Sequence, residues 1–174
     1  MTKQMQRFMV ILLLAAAFNS ATTVQAEITR QENLFKAGDW SVVLREWSDG
    51  EKQCVAEHVE GERVELDIVV GNGTDSIGIY IGQDASKLEK DNFGFRIDNF
   101  PPWKKDNPIF DAGWLIYELE NETDNVFFEI ERQFKKGNIF YHLDESGYAI
   151  NSFSLKGSNA ALTELGTCIR KYLN

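Results

Sequence analysis

The sequence predicts a mainly β protein: an antiparallel β-sandwich or barrel with a C-terminal α-helix packed on the sheet. Three observations predict it. Short runs alternate apolar and polar side chains, turn residues recur between the runs about every ten positions, and a final segment repeats its apolar residues at three and four. Alternation sends successive side chains to opposite faces of a strand, so each run builds a sheet with one apolar side.

The first run follows a polar lead-in and opens at Gly38-Asp39-Trp40, where Trp40, Val42 and Leu44 alternate with Ser41, Val43 and Arg45. A turn at Ser48-Asp49-Gly50-Glu51 leads into Cys54 to Val59. After Glu60-Gly61-Glu62, Val64, Leu66, Ile68 and Val70 share one face, with Glu65 and Asp67 on the other. Asn72-Gly73 then separates this run from Ile77, Ile79 and Ile81, which is the strongest hairpin signal in the chain. Residues 83–92 are polar and read as a loop or a short helical turn, and Phe93 and Phe95 mark the next strand.

All three prolines fall in Asn99 to Phe110, so this stretch is excluded from a central strand or a helix interior and is expected to form an exposed or half-exposed loop. Strand patterns return at Trp114 to Leu119, at Val126, Phe128 and Ile130 against Glu129, Glu131 and Gln133, at Ile139 to Leu143, and at Ala149 to Leu155. The period then changes. Ala161, Leu162, Leu165, Cys168, Ile169 and Tyr172 line one side of a helix that Ser158 is placed to cap, with Arg170 and Lys171 near its C-terminus.

Residues 1–26 have the order of a cleavable secretory signal peptide: Lys3 and Arg7, an apolar run from Phe8 to Phe18, and Val24-Gln25-Ala26 before the cut. The apolar run falls short of the roughly 20 residues that a spanning helix needs, so no membrane insertion is expected after its removal. Residues 27–174 are then a single exported β-rich domain, periplasmic or secreted. An oxidising compartment makes the only two cysteines, Cys54 and Cys168, a disulfide pair.

The whole chain carries −9, and loss of Lys3 and Arg7 leaves 16 basic against 27 acidic residues, a net charge of −11. Such a surface repels phosphate backbones and anionic headgroups, which disfavours nucleic acid and membrane surfaces and favours a cationic protein or peptide.

No catalytic constellation stands out. Ser154 and Ser158 lack a nucleophile elbow, no glycine-rich phosphate loop, zinc signature or calcium loop is present, and no cofactor or metal is expected. Cys54 and His58 lie ~13 Å apart if both stand on one strand, too far to share an ion. Glu129 and Glu131, ~7 Å apart on a strand face, offer paired carboxylates for a hydrolase, although the same alternation describes an ordinary solvated face. The tripeptides beginning at Asn72 and Asn121 match a glycosylation acceptor, which matters only in a eukaryotic source. The best binding candidate is the proline-braced loop, where Phe100, Trp103 and Phe110 beside Lys104 and Lys105 form an aromatic and cationic anchor. The competing reading packs these aromatics down as a cover on one end of the sandwich.

Gly38-Asp39-Trp40-Ser41-Val42 followed by Cys54, together with the closing Phe153-Ser154-Leu155-Lys156-Gly157-Ser158-Asn159-Ala160-Ala161-Leu162 and Cys168, resembles small exported bacterial proteins of the invasion-associated locus B type. The resemblance covers the two ends of the chain and implies a periplasmic or secreted β domain of a Gram-negative bacterium, concerned with envelope or host interaction. The expectation is therefore a noncatalytic binding or interaction protein, with an inhibitor of a cationic enzyme such as lysozyme as its sharper form. A hydrolase using Glu129 and Glu131 is the rival class.

Overall fold

The computed structural model describes residues 26–60, 63–72, 76–82, 94–104, 109–111, 113–120 and 125–173. In chain order the elements are β1 (Ile28–Ala37), β2 (Trp40–Trp47), β3 (Lys52–Glu60), β4 (Arg63–Gly71), β5 (Ser76–Gly82), β6 (Gly94–Ile97), β7 (Trp103–Lys104), β8 (Ile109–Asp111), β9 (Trp114–Glu120), α1 (Asn125–Lys136), β10 (Ile139–Leu143), β11 (Ala149–Ser154) and α2 (Ser158–Tyr172). The strands form two antiparallel sheets, one ordered β1-β2-β3-β4-β5-β9-β8 and the other β11-β10-β6-β7. The expected mainly β architecture is thus an open two-sheet arrangement with a C-terminal helix on the sheet. The leader, the polar segment 83–92, Gly73 of the hairpin turn, Phe93 and Lys105 lie outside the described residues.

The alternation read from the sequence selects the core-facing side of the large sheet. Trp40, Val42 and Leu44 of β2 pair with His58, Ala56 and Cys54 of β3, and Leu66 and Ile68 of β4 pair with Ile81 and Ile79 of β5. These side chains meet Phe95 and Ile97 of β6, Phe140 of β10 and Phe153 of β11 in one buried cluster. Phe140 stacks on Phe95 at 5.1 Å between ring centroids. Two sheets sharing aromatic residues in this way remove both apolar faces from water at once, the dominant favourable term in folding.

Helix α2 closes the cluster with Ala161, Leu162, Leu165 and Cys168, and Cys168 is bonded to Cys54 with 6.0 Å between their Cα atoms. Ser158 does not cap the helix as expected. Gly157 holds the N-cap with a left-handed φ of 100°, while the Ser158 hydroxyl donates to the carbonyl of Phe134 at 2.8 Å. The buried serine therefore joins the two helices.

Two expectations are corrected. Residues 126–133 form helix α1 and not a strand. The helical set Val126, Phe127, Ile130 and Phe134 outweighs the alternating Val126, Phe128 and Ile130: Ile130 and Phe134 are buried, and Phe128 is 61% exposed. Ion pairs at helical spacing reinforce it, Glu129 with Arg132 and Glu131 with Lys135 at 2.6 Å. The polar lead-in also contains a strand, since β1 pairs along β2. Its first four residues are exposed and its inward positions irregular, as befits an edge strand whose pairing comes from a neighbour and not from its own pattern.

Candidate functional site

On the large sheet, the residues between the core-facing ones point to the opposite face, where register sets them in rows. Ser41, Glu57, Asp67, Tyr80 and Ile116 form one; Val43, Val55, Val69, Gly78 and Glu118 the next; Arg45, Gln53 and Gly71 a third. The alternation assigns such a face to solvent, yet Val55 is 0%, Asp67 2% and Glu57 6% exposed. Val43, Val55 and Val69 form a second apolar cluster under Tyr80. Arg45 stands opposite Gln53 but its guanidinium pairs with Glu57, four residues along β3, so its stem must run beside the valine row.

Two carboxylates share that one guanidinium. Nη2 of Arg45 contacts Oε1 of Glu57 and lies 3.6 Å from Oδ2 of Asp67, while the Ser41 hydroxyl donates to Oε2 of Glu57 at 3.2 Å. Among the described residues, Oδ1 of Asp67 and Nε of Arg45 have no hydrogen-bond partner. Burial pushes the Asp67 carboxyl up to about 7, with Arg45 opposing the shift and Glu57 adding to it.

Beside this cluster the face opens into a cleft of about 120 Å³ lined by Glu51, Gln53, Val69, Gly71, Gly78, Tyr80 and Glu118. Gly78 shapes it: a Cβ there would stand 2.3 Å from Cε2 of Tyr80, so the phenol ring lies across the glycine. The ring meets Trp114 in a T-shaped contact, with 6.4 Å between centroids. The Tyr80 hydroxyl is raised by burial first and then by Glu118, Glu51 and Asp67, with Arg45 opposing. Among the described residues, the Arg45 guanidinium that opposes these carboxylates is already paired with Glu57. A wall of aromatic face and carboxylate oxygens has the chemistry to receive an ammonium or guanidinium group.

The proline-rich stretch takes a different form from the anchor expected of it. Trp103 is half-buried in β7, its ring stacked on Phe95 at 6.2 Å and its indole N–H donating to Oε1 of Gln133 at 2.9 Å. Phe100 packs on the core cluster and lies under the Arg132 guanidinium at 5.0 Å. Pro101, Pro102 and Lys104 are exposed, Phe110 sits in β8 opposite Leu115, and Lys105 lies outside the described residues. The stretch is therefore split between the two sheets, and Phe100 and Trp103 face α1 and the core. Gly94 permits this, because a Cβ there would come within 2.0 Å of the Trp103 carbonyl oxygen.

Glu129 and Glu131 sit on α1 and not on a strand face, which removes the paired-carboxylate geometry. Arg132 and Gln133 hold the Glu129 carboxyl down to about 2, and Lys135 pairs with Glu131. Cys54 is spent in the disulfide, and His58 is buried with its ring edge-on to Trp40 at 5.4 Å. Among the described residues no group of three or more His, Cys, Asp or Glu is placed to hold a metal ion. No described helix is long and apolar enough to cross a membrane.

The outward-facing cluster escaped the sequence reading because alternation marks its members only as polar positions. The available signal was the presence of Ser41, Arg45, Glu57 and Asp67 at outward positions of three successive strands; pairing order was needed to unite them. Comparison of the chain with protein-family models, curated proteins and solved structures finds no match.

Proposed function

We propose that this is a noncatalytic binding protein of the bacterial envelope, exported by residues 1–26, and that its outer-face cleft takes a cationic group of a protein or peptide partner. The observation that carries the reading is the cleft itself, where Glu51, Glu118 and Tyr80 line a space beside Gly71 and Gly78. The excess of acidic residues supports the sign of the partner, since a negative field speeds the approach of a cationic one. The resemblance of the chain's ends to exported proteins of the invasion-associated locus B type, and the Cys54–Cys168 bond, support the compartment.

The test is capture of a cationic protein by the purified domain. Lysozyme at low salt should bind wild type at least about tenfold more tightly than a Glu51→Gln/Glu118→Gln variant, a loss of roughly 1.4 kcal/mol. Equal binding by both proteins would remove the cleft from the interaction. The lysozyme activity measured alongside distinguishes a binder from an inhibitor.

A further inference from the structure

Beside the proposed cleft lies a charge arrangement that binding of a cation must disturb. Among the described residues, Asp67 is paired with Arg45 from β2 and stands in register with Glu57 of β3 and Tyr80 of β5, while Glu51 and Glu118 line the cleft with Tyr80. Asp67 is 2% exposed, and among the described residues it shares its one basic neighbour with Glu57 and leaves Oδ1 unpartnered. With Asp67 neutral, Arg45 balances Glu57. With Asp67 ionised, the buried cluster carries one uncompensated negative charge against the wall of the cleft. Burial of such a charge is costly unless a positive charge arrives to offset it.

From this juxtaposition we infer that Asp67 is the affinity-setting residue of the cleft and that a guanidinium or ammonium group binds there with release of one proton from Asp67. The inference rests on the cleft reading above. The step is an acid dissociation: the carboxyl O–H bond of Asp67 breaks, its electron pair stays on the carboxylate, and the proton passes to solvent. The resulting carboxylate adds to the field of Glu51 and Glu118 on the incoming cation. By linkage, the cation draws the Asp67 proton off and a rise in pH strengthens the cation's binding. The neutral-range titration expected of this carboxyl agrees with the geometry.

The experiment uses the full exported domain and a fluorescein-labelled hexa-arginine peptide at low ionic strength. Anisotropy gives the affinity, and calorimetry in two buffers of different ionisation enthalpy gives the protons released. From about pH 6 to about pH 8 the wild-type affinity should rise about threefold to tenfold, the size expected of one added charge near the site. Proton release should accompany binding near neutrality. Asp67→Asn should bind the peptide with the same affinity at both pH values.

Wild-type binding that is independent of pH, or an Asp67→Asn variant that keeps the wild-type slope, would overturn the proton link and leave the cleft reading standing. Absence of binding at every pH, or undiminished binding by Glu51→Gln/Glu118→Gln, would overturn the cleft reading and the inference with it. Should Asp67→Asn fail to fold, the proton count on wild type decides alone, and a count of zero near neutrality is the overturning result.

Discussion

Asp67 on β4 and His142 on β10 are both buried, and burial moves their proton affinities in opposite directions relative to the unfolded chain. Asp67 is raised from 3.8 to about 7, so its contribution to stability is complete below about 3.8 and is lost as pH rises through about 7. His142 is lowered from 6.5 to about 4 by burial, so its contribution is complete above 6.5 and is lost as pH falls through about 4. His58, also lowered by burial, acts in the same sense as His142. Between these limits the slopes oppose each other. Urea denaturation of Asp67→Asn should therefore show stability rising with pH from about 4 to about 6.5, and at about pH 8 the variant should exceed wild type by roughly 2 kcal/mol. His142→Gln should show stability falling over the same range, after subtraction of the fixed loss of its contact with the Tyr117 hydroxyl at 3.1 Å. Curves for both variants parallel to wild type would refute this account. None of this is legible in the sequence: Asp67 reads as a solvent-facing residue of an alternating strand, and only the reach of Arg45 and Tyr80 over the valine row makes it an interior one.

Helix α1 shows where an alternation of only three apolar residues misleads. Val126, Phe128 and Ile130 alternate over a span short enough to fit a strand, while the helical set needs nine residues, out to Phe134, to declare itself. Long runs were legible: β2, β4, β5 and α2 present their inward residues as read, and β4 pairs antiparallel with β5. The helices are joined at Ser158, which is 1% exposed and donates to the Phe134 carbonyl. Ser158→Ala leaves that acceptor without its donor and should cost about 1–2 kcal/mol in chemical denaturation. At the other side of α1, Gly94→Ala should displace β7 and break the Trp103–Gln133 hydrogen bond, because its Cβ would meet backbone. A red shift of tryptophan emission would report it, and an unchanged spectrum with unchanged stability would contradict the placement of that loop.

For the molecule as a whole, the Cys54–Cys168 bond was legible from a count of two, since only one intramolecular pairing exists. It closes a separation of 114 residues, and the chain-entropy model gives such a loop about 4–5 kcal/mol of stability. A Cys54→Ala/Cys168→Ala variant should unfold at correspondingly lower denaturant with native-like spectra beforehand. An equal midpoint would show that packing of α2 alone suffices. Helix α2 rests on β1, β2 and β3 and is bonded to the third of seven strands, whereas β9 is held to the second sheet through Tyr117, whose ring meets Phe95 and His142. The cleft straddles the two regions, with Gln53 on the strand bonded to α2 and Tyr80 and Glu118 on the strands held by the second sheet. A guest lodged between them would bridge the two regions, so amide exchange in β5 and β9 should slow on binding more than in β3, which already carries the disulfide to α2.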